Sequence, residues 1–206
     1  MLGQLDLPAS AIGSIFERLL ALELGKLSSG AWRAGQGVEK DLHYAADDRF
    51  SIELKTSGQL GYKIFGNRSF NQQTGELSKK DKSGYYLTVN FYENRLTLVR
   101  FGWLDAADWQ GQKSASGQAA TLSTDAYQHK LVTVPGDYIL DGPLQLVEGV
   151  GSRAAAELAD MGIQSIRELI EAPGLPGAYR KQQYAAMRHS ERGELRPWVP
   201  SNRPDA

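Results

Sequence analysis

Glu53-Leu54-Lys55 closes the run Asp41-Leu-His-Tyr-Ala-Ala-Asp-Asp-Arg-Phe-Ser-Ile-Glu-Leu-Lys. In an extended strand, residues two apart share a face, so Glu53 and Lys55 project together while Leu54 points the other way. Asp41 lies on the preceding apolar segment. A hairpin turning at Asp47-Asp48 would bring it beside Glu53. Two carboxylates and the Leu54 carbonyl are hard oxygen donors of the kind Mg²⁺ takes. A lysine next to them can hold and activate a water. This equipment suits metal-assisted hydrolysis of a phosphodiester. Glu-x-Lys alone is also what a solvated strand face looks like. The surroundings favour chemistry: Phe50, Ile52 and Leu54 are expected on the buried face, with Ser51, Glu53 and Lys55 opposite. Asp47 and Asp48 are rival first acids, but so close before Glu53 they fit the turn itself better.

A second informative stretch runs from Leu144 to Ile170. Gly149-Val150-Gly151 lets the backbone turn tightly and approach a phosphate closely. Ser152 is expected to cap the helix that follows, whose first amides form an anion-binding end. Ala155, Leu158, Ala159 and Ile163 recur at helical spacing, and Val150 would plug the hairpin into the core. Gly149 to Ala154 also fits G-x-G-x-x-A, a dinucleotide fingerprint. That reading needs a second strand after the helix, whereas Ile166, Leu169 and Ile170 show helical spacing instead. A plain helical hairpin is the remaining alternative.

Bulk properties narrow the field. The 206 residues suit one domain with a small appendage, and no stretch is long and apolar enough for a membrane span. The chain has no Cys, which excludes thiolate metal sites, and it fits a reducing, cytoplasmic setting. The first residues lack the basic region of a signal peptide. His43, His129 and His189 show no metal spacing and are expected to be structural. Net charge is −1, so binding of a polyanion must rest on local asymmetry. Residues 49–82 carry 7 basic against 3 acidic side chains, while residues 1–48 carry 4 against 7. This positive island begins at the Glu-x-Lys segment. It reads either as a solubilising loop or as a surface that tracks phosphates.

Among the elements that would position these groups, Ser10 to Leu27 is predicted as an amphipathic helix. Ile12, Ile15, Phe16, Leu19, Leu20 and Leu24 lie on one side of it. Strands are predicted over 38–45 and 50–56, then from Tyr85 to Tyr92 and from Arg95 to Phe101 across a Glu93-Asn94 turn. A short helix and a polar loop are expected between Arg100 and Ala119. Asp141-Gly142-Pro143 marks a boundary, and one further helix is expected from Ala178 to His189.

The acid and Glu-x-Lys on neighbouring strands resemble the PD-(D/E)xK nucleases, although Lys40 stands where the proline of that name would be. Lys-Asp41, Ser-Ile-Glu53-Leu-Lys55-Thr-Ser, Ile64-Phe-Gly-Asn-Arg-Ser69 and Gly-Trp103 resemble type II restriction endonucleases of the ScaI family. The 144–170 stretch resembles a helix-hairpin-helix. The resemblance implies an α/β (α+β) fold, with a mixed central sheet flanked by helices over residues 1–140. A helix-hairpin-helix over 143–172 and a helical, loosely ordered tail over 173–206 would follow. It implies Asp41, Glu53 and the Leu54 carbonyl as Mg²⁺ ligands and Lys55 as the residue that orients the attacking water. Glu17 is a candidate acid reaching the metal from the first helix, or else an ordinary exposed residue of that helix. Asn67, Arg68, Ser69, Gln72 and Gln73 are candidates for reading bases. Gly149, Val150, Gly151, Ser152 and Arg153 would grip phosphates. The implied partners are double-stranded DNA, a second copy in a homodimer and, genetically, a DNA methyltransferase. The rival readings are a repair nuclease that cuts branched DNA, and a DNA-binding module without catalysis.

Overall fold

The structure, a computed structural model, describes residues 8–67, 83–93, 95–111 and 119–190. It is a mixed α/β fold. The first helix, α1 (Ala9–Leu27), starts after Pro8 and ends at Ser28, whose hydroxyl bonds back to the Leu24 carbonyl at 2.6 Å. Its sheet-facing side is built on small residues, with Gly13 and Ala21 buried. A Cβ at Gly13 would sit 2.4 Å from Thr56 Oγ1, so glycine is what lets α1 lie close on the sheet. Phe16 and Leu20 pack on the same cluster as Leu54, as expected, but Leu19 is half exposed.

Six strands form the main sheet: β1 (Trp32–Ala34), β2 (Leu42–Tyr44), β3 (Ile52–Gly58), β5 (Gly84–Tyr92), β6 (Arg95–Leu104) and β9 (Leu131–Thr133). They lie in the order β1-β2-β3-β5-β6-β9. Only β3 and β5 pair in parallel; every other neighbour is antiparallel. Leu54, Val89 and Val99 make one buried cluster under α1. The opposite face is covered mainly by strands. A second sheet, β4 (Phe65–Asn67), β8 (Ala119–Leu122) and β7 (Trp109–Gly111), packs there together with a π-helical turn, Ala126–Lys130. Ile64, Tyr86, Leu104, Trp109 and Leu122 fill that interface. The short helix expected after Arg100 is a single 3₁₀ turn, Ala106–Asp108, because β6 runs on to Leu104.

The last part of the described chain is helical and has a hydrophobic cluster of its own, from Leu144 to Ala186. Leu144–Leu146 is a 3₁₀ turn rather than the short helix expected there. It is followed by α2 (Ser152–Asp160), α3 (Ile166–Glu171) and α4 (Arg180–Ser190). Ser152 is the first residue of α2 and not its cap; Gly151 occupies that position and supplies no side-chain bond. Val150, Ala155, Leu158 and Ile163 are buried as their spacing predicts, whereas Ala159 is exposed. Ser165 caps α3 in a reciprocal box with Glu168. Among the described residues no helix is long and apolar enough to cross a membrane.

Candidate active site

Antiparallel pairing of Leu42 with Ile52 sets β2 against β3 and puts Asp41, just before β2, level with Glu53. The turn between them is a 3₁₀ segment, Asp48–Phe50. The Asp47 carboxylate accepts from the Arg49 amide at 3.1 Å and pairs with the Arg49 guanidinium. Asp47 and Asp48 thus serve the turn, Asp48 lying 3.1 Å from His43 Nδ1. Phe50 belongs to this turn and is 46% exposed, so it does not extend the buried face of β3; Ser51 is the fully buried residue there. The Ser51 hydroxyl accepts from the Tyr44 amide at 3.0 Å, which stitches the two strands together.

The candidate groups meet at one peptide unit. The Leu54 N–H donates to Asp41 Oδ2 at 2.9 Å, and the Leu54 carbonyl accepts from Lys55 Nζ at 3.1 Å. Lys55 Nζ also donates to Glu53 Oε1 at 2.7 Å. Glu53 and Lys55 are largely withdrawn from solvent, their side chains 13% and 21% exposed. An ammonium and two kinds of oxygen donor therefore share one shielded corner, where screening by water is weak.

Asp41 is held from behind as well. Its carbonyl accepts from the Gly35 amide at 2.9 Å. The preceding Lys40 spans to β5, donating from Nζ to the Ser83 carbonyl at 3.0 Å across the face of Gly84. Cβ atoms at Gly35 and Gly84 would collide with the Lys40 carbonyl and the Lys40 ammonium, at 1.9 and 1.7 Å. Sequence reasoning passed over both glycines. An isolated glycine within strand-like sequence is the signal that could have found them.

Beside Lys55 on the same face lies a buried polar row that the sequence reading also missed. Thr88 and Arg100 pair across β5 and β6, and Arg100 Nη2 donates to Asn90 Oδ1 and to the Tyr62 carbonyl, both at 2.7 Å. Asn90 Nδ2 donates to the Lys63 carbonyl at 3.2 Å, and the Ile64 amide to the Tyr127 hydroxyl at 2.8 Å. These bonds fasten the segment that leads into β4. Tyr62 is tied to the helical part as well, its hydroxyl 2.9 Å from Nε2 of the buried His189.

The remaining candidates fall into three groups. Glu17 is half-buried, one turn after Gly13 on α1, the helix over the Leu54 and Thr56 face; Glu53 and Lys55 occupy the other face. Asn67 ends β4, while Arg68, Ser69, Gln72 and Gln73 lie outside the described residues. Gly149, Gly151, Ser152 and Arg153 are exposed at the start of α2, around the buried Val150. Gly149 has φ +81°, the left-handed region in which glycine costs little. Arg153 pairs with Glu157 at 2.9 Å.

For a metal, the donor set is one of oxygens only. Among the described residues no three His, Asp or Glu side chains gather as ligands. Asp41, Glu53 and the Leu54 carbonyl would supply a partial shell, and Lys55 already places a cation against two of those oxygens. That fits Mg²⁺, which binds through one or two carboxylates and keeps waters or phosphate oxygens for its other positions.

Comparison with known proteins places most of the chain in one family. The profile of the ScaI restriction endonuclease family matches residues 4–135, which include Asp41, Glu53 and Lys55 and stop before the helical part. A type II restriction enzyme ScaI from Streptomyces caespitosus is 39% identical over 132 residues, 60% of this chain. The chain spans 57% of the length of that relative. No solved structure matches. The chain belongs to the ScaI restriction endonuclease family.

Proposed function

We propose that this protein is a Mg²⁺-dependent type II restriction endonuclease that hydrolyses both strands of duplex DNA at a palindromic sequence. The observation that carries the reading is the Leu54 peptide unit, whose N–H and carbonyl hold Asp41 and Lys55 on a common centre with Glu53. Asp41, Glu53 and the Leu54 carbonyl are the residues that would hold the metal. A bound Mg²⁺ supplies Lewis-acid polarisation of the phosphate and a more acidic water. Lys55 orients the attacking water and, as a fixed cation in a shielded corner, stabilises the negative charge that grows on the phosphoryl oxygens. The row formed by Arg100, Asn90 and Tyr127 positions the segment before β4. From there Asn67, Arg68, Ser69, Gln72 and Gln73 would reach the bases. Arg suits guanine, and Asn or Gln suits adenine.

Cutting two strands calls for two sites, and a two-fold homodimer on a palindrome provides them. Residues 1–140 would then be the PD-(D/E)xK nuclease core, working in the cytoplasm beside a cognate methyltransferase that protects host DNA. Residues 143–172 would form a helix-hairpin-helix in which Gly149, Val150, Gly151, Ser152 and Arg153 grip phosphates without reading sequence. Residues 173–206 would follow as its tail. The purified protein should cut plasmid DNA into a few discrete fragments with Mg²⁺ and none with EDTA, and methylation of the target should protect it. Cutting confined to forks, flaps or junctions would replace restriction with repair. DNA binding without any metal-dependent cutting would leave only a binding module.

A further inference from the structure

The stripe Lys181, Tyr184 and Arg188 follows helical spacing along α4, and all three side chains are exposed, Tyr184 at 63%. Ala186 and His189 on the other side are buried, which fixes α4 with that stripe outward, and the buried Ala185 lies at the edge of the groove. The stripe faces the 148–152 hairpin across a groove lined by Glu148, Gly149, Lys181, Gln182, Tyr184 and Arg188. At the floor the two walls come close: a Cβ on Gly149 would stand 3.9 Å from Gln182 Nε2. Arg153 and Arg167 pair with Glu157 and Asp141, whereas Lys181 and Arg188, which line the groove beside Glu148, form no ion pair among the described residues.

Lys181 and Arg188 are seven residues apart, about 10.5 Å along the helix at roughly 1.5 Å per residue. A DNA strand repeats its charge at every nucleotide, so separate phosphates of one strand can meet the two cations. The occupant that fits is a repeating polyanion. Tyr184, between the two cations, offers a hydroxyl and a flat face to the sugar and phosphate.

We infer that one strand of duplex DNA lies in this groove with its phosphates on Lys181 and Arg188, so that α4 and the hairpin act as one sequence-independent clamp. The clamp rests on the reading of the chain as a DNA endonuclease. It lies beyond the residues that match the family.

The test uses the full chain, linear duplexes of unrelated sequence and EDTA to prevent cutting, with affinity followed by fluorescence anisotropy over a fourfold range of salt. Losing two phosphate contacts in Lys181→Gln/Arg188→Gln should reduce the slope of log affinity against log salt by roughly 1.8. Across that range the wild type should therefore lose roughly 12-fold more affinity than the variant. Lys181→Arg/Arg188→Lys keeps both charges and should keep the wild-type slope. Circular dichroism verifies that each variant is folded. An unchanged slope in the Gln variant, alongside a reduced one in Gly151→Val, overturns the clamp and leaves hairpin binding standing. Unchanged slopes in both overturn the clamp and the hairpin reading together. A Gln variant with a reduced slope that the charge-keeping variant shares also overturns it, since packing and not charge would then be responsible.

Discussion

Gly35→Ala probes how the first acid is held without touching any group that does chemistry. An added Cβ would stand 1.9 Å from the Lys40 carbonyl oxygen. Ordinary contact begins near 3.4 Å, so the backbone of Lys40 and Asp41 must retreat by about 1.5 Å (3.4 minus 1.9). The Asp41 carboxylate sits 2.9 Å from the Leu54 amide, and a retreat of that size breaks the bond. Misplacement of a catalytic group by about 1 Å can cost on the order of 10²-fold in rate. At about 1.36 kcal/mol per decade, that is about 2.7 kcal/mol of barrier. The assay is single-turnover cleavage of plasmid DNA with enzyme in excess and saturating Mg²⁺. DNA affinity in EDTA and the thermal midpoint are measured alongside. The expected result is a roughly 100-fold slower cutting step with affinity near that of the wild type. Cutting at the wild-type rate would refute the idea that the glycine contact sets the position of Asp41.

Asn90→Ala removes the acceptor of the buried Arg100 guanidinium and should cost about 2–3 kcal/mol in urea unfolding. A loss below 1 kcal/mol, roughly that of a neutral surface bond, would mean the row is not structural. The Arg33 guanidinium, with the Gln36 amide, holds Glu39 at about 2 instead of 4.5. A carboxylate depressed in the fold stabilises above its unfolded value and loses that stabilisation as pH falls through its folded one. Between pH 4.5 and about 2, Glu39→Gln should therefore lose less stability than the wild type, and parallel urea midpoints would contradict this. Arg68→Ala should relax preference among single-base variants of the target, at about 1–3 kcal/mol per lost base contact. An even loss across all sites would assign Arg68 to phosphate.

The strands and turn that carry Asp41, Glu53 and Lys55 were legible because alternation and a polar Asp-Asp turn are local signals. Phe50 was misread because the 3₁₀ turn takes it out of the strand period, and Ser51 takes the buried place. The small sheet was missed because its strands are three or four residues long, too short for a pattern, and are held by Tyr86, Trp109 and Leu122 from distant segments. Nothing local in the sequence marks Arg100 and Asn90 as buried partners. Only the pairing of β5 with β6 shows that they satisfy each other inside. Val150 was legible as a plug because a lone apolar residue between two glycines has one way to face. The capping role given to Ser152 failed by a single residue, an error local preference cannot resolve.

Lys55→Ala tests the central claim most directly, because it removes the ammonium from Glu53 and the Leu54 carbonyl and leaves both oxygen donors in place. Purified wild type and variant are compared on the same plasmid DNA with Mg²⁺ and with EDTA, and affinity for the uncut target is measured in parallel. The account predicts discrete, Mg²⁺-dependent fragments from the wild type, none from the variant, and similar affinity for both. Undiminished Mg²⁺-dependent cutting by Lys55→Ala would contradict it.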